Sequence, residues 1–271
     1  MVTVAFQGER GAFSEDAVIT FFGDAELSPC RYLSDVFEAV TAAQADFGMV
    51  PAENSQAGSI NETYDLLLGY PLDIFGEINL RISHCLMALP GESLGSIGTV
   101  HSHPQALAQC EQFLRKLKAE VVPTYDTAGS AKRIEEEGLR GHAAVASRRA
   151  AQIYRLEVLA EGIETNVNNY TKFFVIAREK PEPAPRSKTS LVFGAQNIPG
   201  ALYASLGAFA TRDINLIKLE SRPSRRKPWE YIFYVDFEGH ISDKTCQEAV
   251  TELKQRASFV RILGSYPRAD D

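Results

Sequence analysis

Through about residue 178, short apolar runs bounded by polar clusters alternate with stretches whose apolar side chains recur every three or four positions. The apolar runs predict strands over residues 2–6, 47–50, 97–101, 143–146 and 173–177. The helical period predicts helices over residues 14–22, 35–45, 60–68, 104–118, 128–137 and 147–154. Within residues 35–45, Val36, Phe37 and Val40 fall on one face. Residues 72–89 carry neither a helical period nor a strong turn signal, and are predicted to hold crossover strands. Such alternation predicts an α/β domain, here with two lobes and a cleft between them.

The pattern changes at residues 179–188, which hold three prolines and five charges. Proline fixes φ and removes backbone donors, so this stretch is expected to be an extended connector. Beyond it come a strand at 190–193, a helix at 199–211 with Leu202, Leu206 and Phe209 on one stripe, and strands at 214–221 and 230–237. A basic, proline-bracketed turn over Arg222–Pro228 separates those two strands, and a helix at 242–257 and a strand at 259–263 finish the unit. The order βαββαβ is ferredoxin-like. The expected division is therefore a first domain at 1–178, a linker at 179–188 and a second domain at 189–271.

The totals narrow the function classes. A length of 271 residues suggests about two domains, and 45% hydrophobic residues suffices for packed cores. A net charge of −7 argues against nucleic-acid binding through phosphate contacts. Cys30, Cys85, Cys110 and Cys246 are widely spaced with no Cys-x-x-Cys pair, as expected of free thiols in a reducing compartment. The start of the chain reads as a strand, not as a signal peptide, and no run approaches the roughly 18 apolar residues of a membrane helix. A cytoplasmic protein with no membrane partner is expected.

Candidate chemistry gathers where loops enter helices. Gly8–Ser14, Glu53–Ser59, Ser102–Gln105 and Asp126–Ser130 are rich in small or hydroxyl residues. Free N–H groups and the helix dipole make such junctions anion seats. Ser59-x-x-Glu62 and Ser102-x-x-Gln105 also fit the capping box, which is a folding device. Thr171-Lys172-Phe173 adds a hydroxyl and a cation just where the chain turns apolar. His101, His103 and Cys110 lack the spacing of a metal set, and no glycine-rich nucleotide loop occurs, so no cofactor and no metal are expected.

These segments carry a resemblance. Phe6-Gln7-Gly8…Gly11-Ala12-Phe13-Ser14, Val50-Pro51-Ala52-Glu53-Asn54-Ser55, Ser102-His103-Pro104-Gln105-Ala106-Leu107 and Tyr125-Asp126-Thr127-Ala128 resemble, in order, blocks of the prephenate dehydratase family. Thr171-Lys172-Phe173 is similar to that family's Thr-Arg-Phe signature, with Lys172 where Arg is usual and Phe13 where Tyr is common. The resemblance implies a catalytic domain like type II periplasmic binding proteins. It implies decarboxylating dehydration of prephenate to phenylpyruvate, a step toward phenylalanine.

By resemblance Thr171 is the essential hydroxyl. Lys172 is expected at the substrate's side-chain carboxylate, with Phe173 and Phe13 forming an apolar wall for the departing one. Arg grips a carboxylate bidentately whereas Lys acts as a point charge, so this exchange bears on substrate choice. Glu53, Asn54, Ser55, Ser102, Gln109 and Thr127 are expected in the cleft, Glu53 handling a proton or orienting a donor. Asn197-Ile198-Pro199-Gly200-Ala201-Leu202 and Glu220-Ser221-Arg222-Pro223 look like motifs of the ACT regulatory domain. The implied effector is phenylalanine, bound where two such domains meet in a homodimer or homotetramer. The alternatives are an arogenate dehydratase and a non-catalytic amino-acid sensor.

Overall fold

The structure, a computed structural model, describes residues 1–224 and 230–269, so residues 225–229 of the expected turn lie outside the description. The chain forms two compact units, one of residues 1–66 and 78–174, the other of residues 67–77 and 175–271.

In the first unit, β1 (Thr3–Gln7), α1 (Phe13–Phe22), β2 (Glu26–Cys30), α2 (Leu33–Thr41), β3 (Phe47–Asn54), β4 (Gly58–Ser59) and α3 (Asn61–Gly69) follow in order. Val4, Ala5 and Phe6 of β1 are fully buried, as a parallel strand covered on both faces requires. After β5 (Asp73–Arg81) comes a second run: β6 (Cys85–Ala88), β7 (Thr99–Ser102), α4 (Pro104–Gln109), α5 (Glu111–Leu117), β8 (Glu120–Pro123), α6 (Thr127–Glu137), β9 (His142–Ala146), α7 (Arg148–Ile153) and β10 (Glu157–Glu161). The chain then returns through β11 (Tyr170–Ala177).

Two sheets result, in the orders β2-β1-β3-β11-β5 and β8-β7-β9-β6-β10, with β4 paired to β3. In the first sheet β1 lies between β2 and β3 with β11 next, and in the second β7 lies between β8 and β9 with β6 next. The two sheets are the two lobes that the alternation of elements predicts. The expected crossover strands within 72–89 are β5 and β6. β2, β8 and β10 carry no prediction above, because they are short, half-exposed edge or near-edge strands with weak apolar patterning.

One helix expected over 104–118 is two. The Gln109 carbonyl accepts the N–H of Thr165 (2.8 Å), and the Phe113 N–H turns to Cys110 O (3.1 Å). A long-range bond thus interrupts the helical ladder at Cys110, which is fully buried. Gly11 shows why this loop must contain glycine. Its φ is +85°, and a Cβ there would lie 2.7 Å from the Ala150 Cα.

The second unit holds β12 (Ser187–Ala195), α8 (Ala201–Ala210), β13 (Leu216–Pro223), β14 (Tyr231–Glu238), α9 (Lys244–Arg256) and β15 (Ala257–Pro267). Its sheet order, β13-β14-β12-β15, is antiparallel and ferredoxin-like. Leu191, Phe193, Phe209, Val235, Phe237 and Leu253 form its core. Ser187 and Lys188, expected in the extended connector, instead begin β12, and Lys188 is 1% exposed. Its Nζ lies 2.6 Å from Glu77 Oε2 and 3.2 Å from Asp236 Oδ2, and 5.5 Å from the centre of the Tyr266 ring. Among the described residues, no helix is long and apolar enough to cross a membrane.

Candidate active site

Thr171 opens β11 and is 8% exposed. Its Oγ1 accepts the Asn54 side-chain N–H at 3.0 Å. The same Asn54 amide donates to Asn169 Oδ1 (2.9 Å), while its own Oδ1 accepts the N–H groups of Gln56 and Ala57 at 3.0 and 3.1 Å. An Asn at the end of β3 is therefore locked by its own turn and aimed at residue 171. Asn169 in turn donates to Gln109 Oε1 (3.0 Å), which also faces His84 Nε2 at 2.8 Å. An amide oxygen can only accept, so His84 carries its hydrogen on Nε2. Burial pushes the His84 imidazole below its ordinary value, against the opposing pull of the Gln109 bond and the Glu164 charge, and it stays neutral. Glu164 accepts the His84 backbone N–H at 2.9 Å. The Phe13 ring meets His84 edge-on with centroids 5.3 Å apart.

Phe13 also lines a cleft of about 570 Å³. One wall comes from Gln7, Gly8, Phe13, Ser14 and Arg31, the other from His103, Tyr125, Asp126 and Thr127. Asp126 caps α6 by accepting the Gly129 N–H (3.0 Å), and the same oxygen accepts the Glu9 N–H from the opposite wall (3.1 Å). Glu9 is held by Lys132 at 3.0 Å. Glu15, fully buried, accepts the Gly11 N–H (2.7 Å) and pairs with Arg10 and Arg149. Although burial alone raises its carboxyl, these partners hold it below the usual carboxylate value. Among the described residues the Asp16 carboxylate has only a 4.0 Å contact with Arg149, and burial lifts its carboxyl to about 6.

The structure brings Thr171, Asn54 and Gln109 into one network and places Thr127 in the cleft wall. Ser55 braces that network from outside. It accepts the Tyr170 N–H (3.0 Å) and donates to Asn168 O (3.0 Å). Glu53 is half-buried opposite Ser59 in the β3–β4 register. Ser102 is fully buried and donates to Val145 O at 2.6 Å, away from the cleft-lining set. Lys172 lies between Thr171 and Phe173, and strand alternation turns it to the other face. It is half-buried, and like Thr171, Asn54 and Gln109 it is outside the cleft-lining set, while Phe173 is buried. His101 stacks on His142 with a 2.9 Å contact between ring nitrogens, and His103 caps α4.

Asn169, His84, Glu164 and Arg31 were not singled out from the sequence. Asn169 sits two residues before Thr171, and that adjacency was the one local signal. In the second unit, Asn197, Ile198, Gly200, Ala201 and Leu202 line a cavity of about 420 Å³ with Tyr231 and Phe233. Pro199, Glu220 and Ser221 are not in its lining, and Glu220 pairs with Lys218 at 3.2 Å. Gly200 caps α8 at φ +79°, a conformation that favours glycine.

A two-lobed α/β fold with a polar cleft, carrying a ferredoxin-like unit, defines a class of small-ligand proteins with an appended regulatory module. The chain belongs to the prephenate dehydratase family: that family's model matches residues 4–181, and a model described as the ACT domain matches residues 189–255. It is 45% identical over 277 residues to arogenate dehydratase/prephenate dehydratase 2, chloroplastic, of Arabidopsis thaliana, covering 98% of this chain and 73% of that protein. A solved prephenate dehydratase in complex with L-Phe, from Arthrobacter aurescens, is 35% identical with a TM-score of 0.90, covering 98% of this chain and 90% of that one. A solved structure described as GqqA, a novel type of quorum quenching acylase, is also 35% identical with a TM-score of 0.90, covering 98% of each chain.

Proposed function

We propose that this chain is a lyase that converts prephenate to phenylpyruvate, CO2 and water, under control by phenylalanine at its ACT unit. The bond to the ring carboxylate breaks, its electron pair completes the aromatic ring, and the bond to the ring hydroxyl breaks. One proton must reach the departing oxygen for it to leave as water. The observation that carries this reading is the direction of the bond at Thr171. Its oxygen accepts from Asn54, so its own hydrogen is left to donate to the leaving group. A threonine hydroxyl is a weak acid, so its part is to stabilise the charge growing on that oxygen while water replaces the proton. Asn54, Asn169, Gln109 and His84 hold it in place. Phe13 supplies apolar surface on which the leaving carboxylate disperses its charge, and Thr127 offers a second hydroxyl from the cleft wall.

Thr171→Ala is expected to lower kcat by roughly 10²–10⁴-fold, the scale of a lost proton-handling or oxyanion donor, with the fold and phenylalanine binding retained. A rate within about threefold of the parent would remove Thr171 from the mechanism.

A second reading is favoured by the Arabidopsis relative, which bears both activities in its name: turnover of arogenate, whose side chain carries an ammonium in place of the keto group. Comparing kcat/KM for the two substrates decides, and a large arogenate preference overturns the prephenate reading. Acyl transfer is the less suited chemistry, since an activated nucleophile needs an adjacent base and the Thr171 hydroxyl meets an amide instead. In the regulatory part, we assign the phenylalanine seat to the start of α8 around Asn197–Leu202. Exposed Ile198, Tyr203, Leu219 and Tyr231 provide apolar surface for pairing with a second copy, in a homodimer or homotetramer. The domain division proposed is 1–178, 179–188 and 189–271, and the proposed location is the cytoplasm.

A further inference from the structure

The cleft wall that carries α1 has polar groups with no partner among the described residues. Helix α1 begins with Ala12 at its cap, which has no side-chain acceptor for the first turn. The N–H groups of Glu15 and Asp16 reach Ala12 O. Among the described residues, those of Phe13 and Ser14 have no acceptor. The Ser14 side chain is a second, separate observation. It is only 9% exposed, it lines the cleft, and its hydroxyl has no partner among the described residues. A hydroxyl that reaches the cleft without a protein partner is free to bond a ligand there.

Charge completes the picture. The cleft's two carboxylates are already engaged, Glu9 by Lys132 and Asp126 by the Glu9 and Gly129 N–H groups. Arg10 and Arg149 are taken up by Glu15. Arg31, just beyond β2, lines the cleft with its guanidinium carbon 5.4 Å from the Tyr32 ring centre, and no described carboxylate pairs with it. A planar guanidinium, an unpartnered hydroxyl and two free amides at a helix start are a complementary set for one carboxylate.

We propose that Arg31, the Ser14 hydroxyl and the N–H groups of Phe13 and Ser14 form the seat for the carboxylate that the substrate retains. The inference rests on the dehydratase reading above. Of the substrate's two carboxylates, the departing one loses its charge in the transition state, so a cation gripping it would stabilise the ground state more and slow the step. The seat therefore takes the side-chain carboxylate, and it takes that of prephenate and of arogenate alike. This role, expected for Lys172 from the sequence, passes to Arg31.

The test uses the full chain with Arg31→Ala, Arg31→Lys and Ser14→Ala. Arg31→Ala is expected to raise KM for prephenate about 10–100-fold, the worth of a hydrogen-bonded charge, with kcat changed less than about threefold. Arg31→Lys recovers part of the loss, and Ser14→Ala raises KM roughly 3–10-fold. Calorimetric titration gives a readout independent of turnover. Phenylpyruvate should bind Arg31→Ala at least about tenfold more weakly than the parent, whereas phenylacetone, which lacks the carboxylate, should bind both alike. Unchanged KM and unchanged phenylpyruvate affinity in Arg31→Ala would overturn the seat, as would a loss confined to kcat. If the parent turns over neither substrate yet binds phenylpyruvate in an Arg31-dependent way, the dehydratase reading falls and the seat stands. If the parent turns over prephenate while Arg31→Ala titrates like it, the seat falls and the reading stands.

Discussion

Replacing Lys188 by methionine tests the energetics of the second unit most sharply. The ammonium is 1% exposed, between Glu77 and Asp236, which are 6% and 3% exposed. Burial alone would push the Lys188 ammonium toward its neutral form, but the carboxylates of Asp236 and Glu77 outweigh it and raise its pKa. A raised cation contributes stability that is complete below its unfolded value and is lost only as pH climbs through the folded one, so the group is charged at every ordinary pH. Methionine keeps the volume but leaves two buried carboxylates without a cation. Breaking a buried pair in this way costs about 3–5 kcal/mol. For a chain of this size that is a drop in Tm of roughly 6–20 °C. The penalty should shrink as pH falls, because stranded carboxylates escape it by binding protons. Urea unfolding followed by circular dichroism at pH 7.5 and pH 5.5 measures both effects. Adding Glu77→Gln and Asp236→Asn to Lys188→Met should recover much of the loss, since it removes the uncompensated charge. A loss below about 1 kcal/mol at pH 7.5, or a loss independent of pH, would refute the reasoning.

Two further outcomes follow from the first unit. The Asp16 carboxyl, lifted to about 6 by burial, favours the fold when protonated; that contribution is complete below its unfolded value of 3.8 and lost as pH rises through about 6. Asp16→Asn should therefore raise stability at pH 8 by about 1–3 kcal/mol, with the gain fading toward pH 4; a gain of equal size at both pH values would contradict this. Among the thiols, burial lifts Cys85 to about 11 and Cys110 to about 12, while Cys30 is half-buried in the cleft wall. A disulfide reagent at pH 8 should label Cys30 first, and phenylpyruvate should slow it. Labelling that survives Cys30→Ser, or is indifferent to the ligand, would argue against that cleft as the site.

What could be read from the sequence was what short spans encode. The switch between periods of two and of about 3.6 marked the ferredoxin-like unit, and the turn residues marked the helix starts that line the cleft. Thr171 stood out because its neighbours are polar on one side and apolar on the other. Asn54 and Gln109 came only with the resemblance, and Asn169 and His84 did not stand out at all, because these groups meet by bonds across long separations in sequence. The break at Cys110 has the same origin, a bond from Thr165 that no helical pattern foretells. Lys172 follows Thr171 directly, yet neighbours on a strand face opposite ways, so closeness in sequence does not put the two side chains on one face. Lys188 was grouped with the solvated charges of a proline-rich stretch, because its two buried counter-charges lie far along the chain.

The stretch Leu67–Glu77 packs with residues 175–271 although it precedes them by a hundred positions. Arg261 donates to the carbonyls of Leu68 (2.6 Å) and Tyr70 (2.5 Å), and a side chain on Gly264 would collide with the backbone of Ile74. Anyone exchanging the carboxy-terminal half between relatives to transplant its control would thus be moving an incomplete object. The graft needs this upstream ribbon from the same donor, and chimeras joined only at the proline-rich seam would inherit mismatched surfaces.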